Sequence, residues 1–114
     1  MTFHLPSHLR AERKRLQLSQ GDISFLLGLS SQAAVSQHES LARLPELKLL
    51  LKYEVLFDKS VSELFPKLRW DIEGEVLAQI KELMCELDEQ PNLPASRKLE
   101  ILTHLLTRID AHRL

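Results

Sequence analysis

The chain has 114 residues, of which 44% are hydrophobic and 27% charged, with 3 glycines, 5 prolines and 1 cysteine. That length holds one modest core, or a core with an appendage, and excludes a two-domain cofactor enzyme. The single thiol, Cys85, excludes an internal disulfide framework, and the scarcity of glycine and proline argues against a turn-rich β sandwich.

The formal net charge of −1 hides an asymmetry. Residues 1–69 carry ten basic and seven acidic side chains, whereas residues 70–114 carry five and nine. A basic part beside an acidic one fits a polyanion-binding unit joined to an unlike one. Leu, Glu, Lys, Arg, Ala and Gln dominate, all good helix formers, so an all-α chain is expected.

In chain order, a first helix is expected over about 6–16, with Pro6 in its first turn and Leu5, Leu9 and Leu16 on one face. Ser19 opens a second helix, with Asp22 three residues on in a capping-box-like start, an apolar face of Ile23, Leu26 and Leu27, and Gly28 as its C-cap. Ser30 or Ser31 caps a third helix reaching about Ser40. A fourth spans about 45–57, with an inward face drawn from Leu47, Leu50, Leu51, Val55 and Leu56. Ser60 and Glu63 open a short fifth helix that Pro66 ends.

The texture then changes. Residues from Trp70 to about Glu89 contain no proline, and Ile72, Val76, Ile80, Leu83 and Leu87 recur at helical spacing. Pro91-Asn92-Leu93-Pro94 breaks the pattern, and a second long helix follows from Ala95 to about His112, with Leu99, Leu102, Leu106 and Ile109 on one stripe. Two amphipathic helices across a short loop make an αα-hairpin. The predicted organisation is therefore five helices over residues 1–66 and a two-helix hairpin over 67–114.

A tight glycine-containing turn between the second and third helices fits a DNA-binding helix-turn-helix. Arg13, Leu18-Ser19-Gln20, Gly28, Val35, Glu39 and Pro45 occur in that order, and Lys59-Ser-Val-Ser-Glu-Leu-Phe65 follows. In this ordered set, about residues 9–65 resemble the Cro/repressor-type (Xre family) helix-turn-helix domain, over about half of the chain. The turn from Gly28 to Val35 is one residue longer than the usual family pattern, and the family's Glu-Asn-Gly reads Glu39-Ser40-Leu41. The resemblance is therefore to a long-turn variant with a C-terminal helical extension.

The resemblance implies double-stranded DNA as the partner, with the third helix in the major groove. Base edges there give sequence choice and phosphates give position. The candidate base readers are Ser31, Gln32, Ala33, Ser36 and Gln37. A Gln amide can pair with both N6 and N7 of adenine, and an Ala methyl suits the thymine methyl. Gln32 and Gln37 align with positions where phage repressors of this type read bases. Ser19 and Gln20, at the N-terminus of the second helix, and Arg43, in the loop after the third, are the candidate phosphate contacts. Arg10, Lys14 and Arg15 are either auxiliary charges for phosphate or, by preference, a solvated face. The family's matching pair makes Arg13 and Glu39 a structural ion pair between the first and third helices, not a DNA contact.

The hairpin is apolar on more than one stripe, because Ile101 and Leu105 add to the Leu99 edge. Two readings stand: a homodimer interface bringing two reading heads together, or a hairpin folded back on its own domain. Trp70 is expected to pack the hairpin onto the first domain, Cys85 to be a small core residue, His38 to pack on the fourth helix or face solvent, and His104 and His112 to lie at the surface. His4 and His8 lack a third ligand nearby, so no metal is expected, and no cofactor or catalytic motif is present. No stretch approaches the roughly 18 apolar residues that span a bilayer. MTFHLPSHLR lacks the pattern of a signal peptide, so no membrane partner and a cytoplasmic location are expected. The implied function is a sequence-specific transcriptional regulator, a repressor by preference. The alternatives are an antitoxin bound to a toxin, or an interaction adaptor that has lost DNA binding.

Overall fold

A computed structural model describes residues 5–89 and 92–113, apart from the side chain of Leu93. Regular structure among the described residues is all helical, in seven elements: α1 (Leu9–Arg15), α2 (Gln20–Leu27), α3 (Ala33–Ser40), α4 (Leu47–Phe57), α5 (Val61–Leu64), α6 (Pro66–Asp88) and α7 (Leu93–His112). The chain divides into two compact units, Met1–Arg69 and Trp70–Leu114.

Local chemistry sets the ends of these helices. At α2, Ser19 Oγ accepts the Asp22 N–H while the Asp22 carboxylate accepts the Ser19 N–H, a reciprocal capping box. The same helix ends at Gly28, whose φ of 74° lies in the left-handed region that glycine enters at little cost. Ser60 Oγ caps α5 through the Glu63 N–H, and Glu54 of α4 accepts the next donor, from Val61. Asn92 caps α7 through the Ala95 N–H. Pro66 ends α5 as expected, but it also opens α6, so the long helix starts at Pro66 and not at Trp70. A proline N1 residue lacks only an N–H that no intrahelical carbonyl would accept.

The cap of α3 is also displaced from its expected position. Ser31 Oγ accepts the Ala33 N–H, yet the N-cap residue is Gln32, with no side-chain cap bond. At its far end α3 stops at Leu41, with a φ of 58°, although no glycine is there to ease the turn. Leu41 packs against the core, and that apolar contact opposes the backbone strain.

Every helix of the first unit's five contributes to one core: Leu9 from α1, Ile23 and Leu27 from α2, Val35 from α3, Tyr53 and Phe57 from α4, and Leu64 from α5, closed by Phe65. Tyr53 stacks on Phe57, with ring centroids 6.1 Å apart. His38 is buried against α4, its ring edge-on to Tyr53 and its Nδ1 2.9 Å from the Tyr53 hydroxyl.

Several expected core positions face outward. Leu5 and Leu16 are exposed, because α1 is shorter than the apolar pattern suggests and buries only Leu9. Leu26 on α2 is exposed, as are Leu47, Leu51 and Val55 on α4. Helix α4 turns its aromatic face inward instead, through Tyr53 and Phe57.

In the second unit, Leu77, Ile80 and Leu87 of α6 are buried while Ile72, Val76 and Leu83 are exposed. The buried stripe is thus offset from the expected one, and Met84, not Leu83, lies half-buried on it. Cys85 falls off that stripe and is exposed, contrary to its expected place in the core. On α7, Leu99, Leu102, Leu105, Leu106 and Ile109 are half-buried, and Ile101, His104 and His112 are exposed. The end of α7 is fastened to the Trp70 turn of α6. Arg113 Nη1 donates to the Trp70 carbonyl at 2.7 Å, its guanidinium lies 3.7 Å from the centroid of the Trp70 ring, and Glu73 Oε1 stands 3.8 Å away. The two helices therefore run antiparallel. Trp70 is held by Arg113 within its own unit. No helix among the described residues is long and apolar enough to cross a membrane.

Candidate nucleic-acid interface

A surface that reads DNA needs a rigid element with exposed polar side chains, and groups beside it that neutralise phosphate. Helix α3 meets the first requirement through its two faces. Val35, His38 and Glu39 are buried, while Ala33, Ser36 and Gln37 are exposed, together with Ser31 and Gln32 just before the helix. All five candidate base readers are therefore solvent-accessible, and the helix carrying them is fixed from behind by its apolar and ionic contacts.

The strongest of those contacts is ionic. Arg13 of α1 reaches Glu39 of α3 twice, Nε to Oε2 at 2.6 Å and Nη2 to Oε1 at 3.3 Å. The third guanidinium nitrogen, Nη1, donates to the Leu18 carbonyl at 3.0 Å. Gln20 of α2 adds a donor to Glu39 Oε1 at 3.1 Å, and Ser7 Oγ donates to the Glu39 backbone carbonyl at 2.8 Å. One carboxylate thus ties three helices together. Gln20, expected as a phosphate contact, gives one of its two amide hydrogens to Glu39 inside the protein and is half-buried. Sequence spacing gave no sign of this, because nothing in it states where a long side chain ends.

The N-terminus of α2 is similarly committed. The Ser19 hydroxyl and backbone N–H both serve the capping box. The Ser19 backbone N–H foremost, and the Ser19 side chain second, lower the pKa of Asp22, so a carboxylate charge sits where a phosphate would approach the helix end. The next donors, the N–H groups of Gln20 and Gly21, fall in the first turn, which has no intrahelical acceptors. The Gln32 side chain lies near Gly21: a Cβ there would stand 3.4 Å from Gln32 Oε1, an ordinary van der Waals contact. Gln32 therefore rests beside the first turn of α2, bringing a candidate base reader next to the candidate phosphate site.

A concavity of about 520 Å³ between α1, α2 and α3 is lined by Arg10 and Lys14 as well as by Gln20, Ser36 and Ser40. Two exposed cations of α1 thus border the exposed face of α3, a grouping that the sequence reading assigned to a solvated face. Arg15 lies apart, paired with Glu12 at 2.7 Å. Arg43 is exposed beyond α3, and its backbone N–H donates to the Gln37 carbonyl at 3.3 Å, folding the loop back on the helix end.

Among the described residues no group of three metal-ligating side chains forms, and His4 lies outside them. Comparisons with family models, with curated proteins and with solved structures find no match.

Proposed function

We propose that the chain is a sequence-specific double-stranded DNA-binding transcriptional regulator of the Cro/repressor-type helix-turn-helix kind, acting as a repressor. The observation carrying this reading is the two-faced α3. Its buried side is clamped by Arg13, Gln20 and Glu39, while Gln32, Ser36 and Gln37 stand exposed, Gln32 beside the first turn of α2. In this reading Gln32 and Gln37 pair with base edges, Ser31, Ala33 and Ser36 complete the groove contact, and Arg43 neutralises a phosphate. The first turn of α2, which Ser19 caps, offers the backbone N–H groups of Gln20 and Gly21 to a second phosphate. Arg10 and Lys14 join them because they share a concavity with Ser36. The exposed Ile72, Val76, Leu83 and Ile101 support a homodimer through α6 and α7.

The test is selection of bound duplexes from a randomised pool at two salt concentrations. The expected product is a palindrome with half-sites about one helical turn apart, bound more weakly as salt rises. No enrichment at low salt would overturn the reading, and a 13.2 kDa species in sedimentation at micromolar concentration would remove the dimer.

A second reading, an adaptor that binds protein through the same fold, draws on two observations. No Lys or Arg lies on α3, and the Asp22 carboxylate occupies the α2 N-terminus. Gln32→Ala and Gln37→Ala separate the two, abolishing selective DNA binding in the first and changing no DNA readout in the second.

A further inference from the structure

Within the first unit, α2 and α4 leave an apolar groove of about 460 Å³ open to solvent. Leu26 of α2 and Leu51, Val55 and Leu56 of α4 line it, and the charged side chains lining it, Lys48 and Lys52, are both cationic. Val55 is 85% exposed, and Phe25, next to Leu26 in the chain, is 83% exposed. Leu47, Leu51 and Val55 recur every fourth residue, a continuous stripe along α4. A soluble domain leaves such a contiguous apolar strip open where something binds. Lys52 is held in place at its edge, because Nζ donates to the Leu27 carbonyl at the end of α2 at 2.8 Å.

We propose that this groove docks an acidic amphipathic helix of a partner protein. Its length fits: the eleven residues of α4 rise about 16 Å, three turns of a partner helix. Its charge fits as well. A helix with one apolar stripe bordered by Glu or Asp buries the stripe on Leu26, Leu51 and Val55 and sets its carboxylates against Lys48 and Lys52. A second copy fits poorly. A two-fold axis through Leu51 brings both copies' Lys48 and Lys52, all within one helical turn of that residue, towards one centre. The proposal is independent of DNA binding, since none of these residues is among the proposed base or phosphate contacts.

The probe is a fluorescein-labelled synthetic helix of about 18 residues, with leucines on one stripe and glutamates elsewhere, and a twin with lysines in place of the glutamates. Binding to the full chain is read by anisotropy, and its place by amide shifts in isotope-labelled protein. The glutamate peptide binds, perturbs residues 47–56 and those around Leu26, and exceeds its twin by about tenfold or more at low salt. Val55→Glu, at an open position, removes binding and leaves DNA selection unchanged. Lys48→Glu weakens the glutamate peptide and strengthens the lysine twin. Failure of both peptides to bind, equal binding of the two, or shifts elsewhere overturns the proposal. So does self-association that Leu51→Glu abolishes, since a second copy would then cover the groove.

Discussion

Arg13 and Glu39 form a two-point contact across α1 and α3, with side chains only 11% and 7% exposed. The same carboxylate receives Gln20 from α2, so three helices converge on one buried charge. Removing one member of a buried pair strands the other, and the loss exceeds the net worth of the pair. Glu39→Ala and Arg13→Ala are each expected to lower stability by about 3–5 kcal/mol. Arg15→Ala, which removes the exposed partner of the Arg15–Glu12 pair, is expected to cost under about 1 kcal/mol. Urea unfolding of the three variants measures the contrast; similar midpoints for the two pairs would show that Glu39 is not energetically buried.

Two residues with left-handed backbone respond oppositely to glycine. Gln17 has a φ of 60° and is exposed, so Gln17→Gly removes strain and no packing. The expected result is a gain of up to about 1 kcal/mol, reduced by the added freedom of the unfolded chain. Leu41 has nearly the same backbone, but its side chain packs on the core. Leu41→Gly is expected to lower the thermal midpoint despite relieving the turn. If both variants shift the same way, packing is not what holds Leu41 there.

Much of the architecture was legible in the residues, for reasons that can be named. Ser19 with Asp22, Gly28, and Ser60 with Glu63 act locally, and each formed the expected end. All seven helices lie close to their expected spans, because helix propensity and capping residues act over short range; α7 begins at Leu93, ahead of the expected Ala95, so Pro94 lies in its first turn. Which apolar residues turn inward was less legible. On α4 a row of leucines offers more apolar surface than one core accepts, and only the neighbouring helices decide that Tyr53 and Phe57 go in while Leu51 and Val55 stay out. The engagement of Gln20 with Glu39 was illegible for the same reason: it is a long-range contact of a flexible side chain with no periodic signature.

His38 gives stability a pH dependence with a defined sign. Burial first, and the nearby Arg43 charge second, lower its pKa below 6.5. The folded state therefore holds the ring neutral, beside Tyr53, whose own pKa burial and the Glu39 charge raise. Below pH 6.5 the unfolded chain binds a proton that the folded chain resists. The stability contributed by neutral His38 is complete above 6.5 and declines as pH falls towards the folded value. Thermal midpoints taken from about pH 7.5 down to about pH 5 should fall more steeply in the native chain than in His38→Gln. Parallel curves would assign the acid sensitivity to other groups.

The proposed DNA surface makes a prediction about salt, in which its cations and its carboxylate act in opposite directions. Each phosphate neutralised steepens the dependence of log K on log salt by about 0.9. Arg43→Ala is expected to flatten the slope by about that amount, and Arg10→Ala with Lys14→Ala by up to about twice as much, because both border Ser36 in the α1–α2–α3 concavity. Neither change touches a candidate base reader, so the selected sequence should stay the same while affinity drops across all duplexes. Asp22→Asn should do the reverse. It removes the one carboxylate held at the α2 N-terminus by the Ser19 bonds, and so strengthens binding most at low salt, with the same sequence preference. Titrations of one selected duplex at four salt concentrations decide the matter. If Asp22→Asn leaves affinity unchanged while Arg43→Ala lowers it, phosphate is bound beyond α3 and not at the start of α2.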